Sequence, residues 1–249
     1  MPVRRALVMA FVLFHATLAV AQPQNARERA RPAYTSGLEY MRVERFAAAA
    51  ESFESATATD PSFELAHYML GRAYLALKDY YAAVDALTTA RDLYVADATR
   101  RFEDRAEGQR YRRTRIGEID DLLSQLRNLP RQTPEIQGQI RQLEEHKRQL
   151  EDRDRHVDAD AGVPAFVLLS LGSAHFRAAN FGLAEQTWRD AIAADPGSGE
   201  AHNNLAVVLL ETGRYDEAEQ SVRNAERAGR RVPQALKDEI KKRRKSSPR

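Results

Sequence analysis

The chain of 249 residues contains no cysteine. That absence excludes a disulfide framework, a cysteine nucleophile, thiolate zinc ligation and a lipid-modified N-terminal cysteine. Twelve glycines and ten prolines are too few for a turn-rich all-β chain or a collagenous one. No His-Glu-x-x-His, Gly-x-Ser-x-Gly or phosphate-cradling glycine loop occurs, so no catalytic constellation can be assembled. A non-enzymatic protein without metal or cofactor is expected. Charged residues make up 30% of the chain and the mean hydropathy is −0.58, which excludes a polytopic membrane protein.

What is present is unevenly distributed. The net charge of +2 conceals an acidic body between two basic ends. Residues 26–97 sum to −3, residues 98–160 to zero, residues 161–226 to −5 and residues 227–249 to +8. The body is therefore not a nucleic-acid-binding surface as a whole. Residues 1–21 follow the three-part plan of a secretory signal peptide: Arg4-Arg5, an apolar run over 6–20, then Ala19-Val20-Ala21 before Gln22-Pro23. The run is short for a membrane span, which needs about 20 residues. Cleavage after Ala21 and a periplasmic or secreted product are expected.

The remainder has a period of 34 residues. In residues 30–63, Ala33, Gly37, Tyr40, Ala49, Phe53, Ala56 and Pro61 fall at repeat positions 4, 8, 11, 20, 24, 27 and 32. Residues 64–97 place His67, Gly71, Tyr74, Ala83, Leu87, Ala90 and Val95 there. Residues 165–198 place Leu168, Gly172, His175, Ala184, Trp188, Ala191 and Pro196, and residues 199–232 place His202, Ala206, Leu209, Ala218, Val222, Ala225 and Arg230. On these positions the chain resembles the tetratricopeptide repeat family. The resemblance implies an all-α superhelical solenoid of four helix-turn-helix repeats, two plus two. The physics agrees: position 8 is small and faces a small residue at position 20, and Pro61 and Pro196 at position 32 end the second helices of repeats one and three, while Val95 and Arg230 replace the proline in the other two. Residues 22–29 read as a linker. Residues 233–245, beginning at Pro233, read as one more helix, with Ala235, Leu236 and Ile240 on one face, that caps the stack. Residues 241–249 read as a disordered basic tail.

Residues 98–164 interrupt the series. Ile116, Ile119, Leu122, Leu123, Leu126 and Leu129 recur at helical steps, and Ile136, Ile140, Leu143 and Leu150 do so after a break at Pro130–Pro134. Thr133 caps the second arm, with Pro134 at its first position. This predicts a charged antiparallel helical hairpin with a self-contained apolar seam, dispensable for folding. Nothing between Ala82 and Thr99 breaks a helix, which leaves the second helix of repeat two free to run into the first arm. The second arm, roughly 23 residues, would reach about 35 Å. A solvated charged spacer is the bland alternative.

Several residues have bland readings that outweigh sharp ones. His67, His175 and His202 sit at packing positions and read as core or half-buried histidines rather than metal ligands. Trp188 reads as core. The alternating acids of 154–162 lack the closing Glu of a calcium loop.

In the family, positions 2, 5, 9 and 12 of the first helix line a concave groove for peptides. The resemblance puts Arg31, Tyr34, Leu38 and Met41 there in repeat one, and Leu65, Tyr68, Arg72 and Leu75 in repeat two. Repeats three and four give Phe166, Leu169, Ser173 and Phe176, then Glu200, Asn203, Val207 and Leu210. Tyr34, Tyr68, Arg72, Phe176, Arg177 and Asn203 are the expected peptide contacts, because aromatics and Arg carry interface energy. Tyr34 and Leu38 stand where the family's carboxylate clamp has Lys and Asn, so that mode is not expected. The implied function is an interaction scaffold of the cell envelope with a protein or peptide partner. The alternative is docking on anionic lipid or cell-wall polymer through the basic tail.

Overall fold

The computed structural model describes residues 23–98, 100, 104–130, 132–152 and 162–246. The expected signal peptide, the tip of the tail at 247–249 and most of the acid-rich stretch at 154–162 lie outside them. Among the described residues the chain is all-α, with helices and no strand. The helices are α1 (Pro23–Arg42), α2 (Phe46–Thr59), α3 (Glu64–Leu77), α4 (Tyr80–Ala98), α5 (Arg105–Arg127), α6 (Pro134–Asp152), α7 (Ala165–Arg177), α8 (Phe181–Ala194), α9 (Gly199–Glu211), α10 (Tyr215–Arg227) and α11 (Gln234–Ser246).

The pairs α1–α2, α3–α4, α7–α8 and α9–α10 are the four repeats. Each second helix then packs on the first helix of the next pair: α2 on α3, α4 on α7 and α8 on α9. The α4–α7 junction spans the insertion, so the solenoid is continuous through it. Turn chemistry follows the sequence. Asp60 and Asp195 accept from the backbone N–H two residues on, at 3.0 Å each. Asp79 accepts from Ala82 N–H at 3.2 Å at the start of α4. The turn inside each pair needs one left-handed residue, supplied by Glu44, Lys78 and Ala179 and, in repeat four alone, by Gly213.

The room left by the small residue at position 8 is taken by the large side chain at position 24. A Cβ on Gly37, Gly71 or Gly172 would overlap Phe53, Leu87 or Trp188, respectively. The small residue at position 8 thus makes room for the large side chain at position 24, while Ala83, at position 20, is fully buried. Repeat four, with Ala206 in place of glycine, carries the smaller Val222 at position 24.

Two segments depart from expectation. Residues 23–29 are helical: Pro23 starts α1, extending the first repeat backwards. Helix α4 stops at Ala98 and α5 starts afresh at Arg105, where the Asp104 carboxylate accepts from Glu107 N–H at 2.7 Å. The second arm is described over 19 residues, Pro134–Asp152, and its expected end falls outside the described residues. Its capped start is as read, with Thr133 Oγ1 accepting from Ile136 N–H at 3.3 Å.

Candidate functional site

The inner face of the solenoid is formed by α1, α3, α7 and α9, and it divides into two halves. The first half is filled by the insertion. Helix α5 lies along α1 in the same direction. Arg27 Nη1 donates to Glu118 at 3.2 Å, Arg31 Nη2 to Asp121 at 2.7 Å, and Gln125 Nε2 to Glu39 at 2.9 Å. Helix α6 covers α3 and α7. Gln139 donates to the Tyr68 hydroxyl at 2.6 Å and accepts from Arg72 at 2.9 Å. The His146 ring meets Phe166 edge-on, with centroids 6.2 Å apart.

This corrects the expectation of a self-contained seam. Ile119, Leu122, Leu126 and Leu143 belong to one continuous core with Tyr34, Leu38, Tyr68 and Phe166. Tyr34 and Tyr68, expected as exposed peptide contacts, are 0% and 1% exposed. Burial raises both phenol pKa values, that of Tyr34 well above its ordinary value with added pressure from Glu118 and Asp121. Arg72 is half-buried and already engaged by Gln139.

A buried ionic cluster sits where the insertion meets the start of the solenoid. Arg27 pairs with Asp60 at 2.6 Å, with Glu64 at 3.2 Å and with Glu118 at 3.2 Å, and its guanidinium lies 4.1 Å from the Phe63 ring centroid. Arg115 pairs with Glu64 and, at 3.6 Å, with Glu118. Glu64, Glu118 and Arg115 are all at least 95% buried. Burial pushes the Arg115 guanidinium down to about 9, a value that leaves it charged at neutral pH. Sequence reasoning missed this cluster because it counted charged residues of α5 as solvated. One signal was present: adjacent Leu122 and Leu123 point about 100° apart on a helix and cannot both face a single partner.

The second half of the face is more open. Phe176 is half-buried, its ring 5.4 Å from Phe181 and 5.8 Å from Trp188. Arg177 is exposed and makes no ion pair among the described residues. Asn203, Asn204 and Val207 are half-buried, with Asn203 donating to Asn204 at 3.4 Å. The histidines match expectation: His175 is buried, and His67 and His202 are half-buried. No group of side chains able to hold a metal ion occurs among the described residues.

The C-terminal helix matches the one expected over 233–245, and the basic run lies within it rather than in a disordered tail. Helix α11 runs through the basic residues to Ser246 and buries Ile240. Lys237 pairs with Glu226 at 2.9 Å, Arg243 with Glu211 at 3.5 Å, and Arg244 with Glu219 at 2.5 Å. Three of its cations thus face carboxylates of repeat four. No described helix is long and apolar enough to cross a membrane.

These features define a class: an all-α solenoid of stacked helix pairs with a helical insertion on its inner face. The tetratricopeptide repeat model matches residues 34–98 and 169–234, more than half of the chain, and the chain belongs to that family. Among solved structures it is similar to MamA, with a TM-score of 0.51 and 15% identity over 83% of this chain and 86% of that one. That likeness concerns the fold alone. PilW, described as a widely conserved type IV pilus biogenesis factor, aligns with a TM-score of 0.41 and 21% identity over 88% of each chain. YrrB, a TPR protein with an unusual peptide-binding site, aligns at 0.29 and 16% over 89% of this chain and 98% of that one. No curated protein sequence matches the chain.

Proposed function

We propose that this chain is an exported, non-catalytic interaction scaffold of the cell envelope that captures a segment of a partner protein on the inner face of repeats three and four. Family membership supports the scaffold role. The observation that carries the site is the division of the inner face: the insertion covers repeats one and two and, through α6, the Phe166 end of α7, whereas Phe176, Arg177, Asn203 and Val207 retain accessible surface. Aromatic area beside an unpaired guanidinium suits an extended segment bearing a carboxylate. The basic start, apolar run and Ala-Val-Ala of residues 1–21 support export. The tail reading is less favoured, because Lys237, Arg243 and Arg244 are directed at repeat four.

Envelope extract passed over the mature chain tests this reading. Arg177→Ala with Asn203→Ala should lower capture at least about tenfold, roughly 1.4 kcal/mol, with the melting temperature unchanged. Capture that survives this pair, but is lost on removing residues 241–249, would transfer the function to the tail. N-terminal sequencing should begin at Gln22; an intact Met1 in a cytosolic fraction would refute export.

A further inference from the structure

The insertion sits on the inner face as a bound helix would. The solenoid does not need it for continuity, since α4 packs directly on α7. Along α5, Glu118, Asp121 and Gln125 meet Arg27, Arg31 and Glu39. Steps of three and four place these side chains on one stripe of α5 beside the apolar seam. Such a pattern fixes both position and direction, as in recognition of an amphipathic helix by a groove.

The charges make the recognition specific. Without α5, the floor of the groove holds Arg27 with two buried acids, Asp60 and Glu64. Helix α5 brings Arg115 to Glu64 and Glu118 to Arg27. A buried ionic contact is weak as a source of stability and strong as a selector, because a helix lacking either charge leaves another buried charge unpaired.

We propose that the α5–α6 hairpin is a tethered, displaceable occupant, and that the groove beneath it is a docking surface for a partner helix of the same chemistry. That helix carries an Arg and a Glu three residues apart beside an Ile/Leu seam, with a second acid three residues further on to meet Arg31. Tethering gives the hairpin an effective concentration of order mM for short linkers, so a free helix binds the closed protein weakly and opens it when it binds. This proposal concerns the covered part of the face, the bed of α5 on α1 above all, and does not depend on capture at Phe176, Arg177, Asn203 and Val207.

The test uses the full mature chain and a labelled peptide of residues 104–128 as the probe. Glu118→Gln in the chain weakens the tethered copy but leaves the groove intact. The variant should bind the unaltered peptide at least about tenfold more tightly than the unaltered chain does. A peptide carrying Glu118→Gln should lose that gain. Absence of peptide binding to a folded variant would overturn the proposal. Should the variant not fold, hydrogen exchange on the unaltered chain decides. Amides of α5 and α6 should exchange through an opening that leaves α3, α4, α7 and α8 protected. Exchange of α5 and α6 only with global unfolding would make the hairpin a fixed part of the core. A concentration-dependent dimer that the peptide dissociates would assign the groove to a second copy's hairpin and overturn the partner reading.

Discussion

Arg27 Nη1 lies 3.2 Å from Glu118 across 91 residues of sequence. This contact joins the segment that reads as an N-terminal linker to the first arm of the hairpin, which reads as self-contained. Around it, Asp60, Glu64 and Arg115 complete a cluster of three acids and two bases, mostly shielded from water.

Removing one member leaves the others uncompensated. Arg27→Met is expected to destabilise the fold by about 3–5 kcal/mol, the usual cost of breaking a buried pair from one side. Arg27→Met with Glu118→Met restores the balance of charge and should cost less than the single change. Denaturant titration checks both; a double variant worse than the single one would show that the cluster is not electrostatically coupled.

The solenoid was legible in the sequence and the use of its inner face was not. The 34-residue period placed every repeat, because Gly37, Gly71 and Gly172 and the large residues at position 24 are short-range packing constraints that recur in each copy. Thr133 and Pro134 marked the second arm for the same local reason. The docking of α5 depends on Arg27, Glu64, Arg115 and Glu118, which lie far apart in sequence and read one by one as solvated charge. Tyr34 and Tyr68 stand at inner-face positions, and nothing local to either shows that another helix covers them.

Gly71 sits under Leu87 with no room for a methyl group. Gly71→Ala is expected to destabilise by roughly 1–3 kcal/mol through overpacking. Leu87→Val in the same chain should recover part of that loss, since Ala206 and Val222 form this pairing naturally in repeat four. Thermal melting of the two single variants and the double variant tests the coupling; strict additivity would mean that Leu87 is not the side chain displaced.

Ala179 has a φ of +60°, a left-handed conformation that strains any residue with a Cβ. It is exposed, and the equivalent turn of repeat four uses Gly213. Ala179→Gly should therefore raise stability by about 1 kcal/mol, and Gly213→Ala should lower it by a similar amount. Effects of the same sign from the two changes would contradict the turn geometry.

His67 and His175 hold protons less tightly folded than unfolded. Burial is the first cause at both, and the charge of Arg91 adds to it at His175. The unfolded chain, with histidines near pH 6.5, takes up protons first as the pH falls. Stability contributed by these groups is present above about pH 6.5 and declines below it. Chemical denaturation between pH 7 and 5 should show that decline, and His67→Gln with His175→Gln should flatten it. A fold that grows more stable on acidification through this range would reverse the sign.

Tyr34 and Tyr68 occupy equivalent positions, both buried, yet their hydroxyls differ. That of Tyr68 accepts a hydrogen bond from Gln139 at 2.6 Å. That of Tyr34 is buried with no hydrogen-bond partner among the described residues, between the Phe53 and Phe63 rings of repeat one and the acids of α5. Burying a hydroxyl without a hydrogen bond costs roughly 1–3 kcal/mol, whereas a satisfied one contributes about 1 kcal/mol. Tyr34→Phe keeps the ring and removes the unsatisfied group, so it should be neutral or stabilising. Tyr68→Phe should destabilise by about 1 kcal/mol and loosen α6, because Gln139 loses its acceptor. Equilibrium unfolding gives the two values, and hydrogen exchange in α6 separates their consequences. If Tyr34→Phe costs as much as Tyr68→Phe, the Tyr34 hydroxyl has a partner in solution and the contact between α5 and α1 is wetter than its geometry indicates.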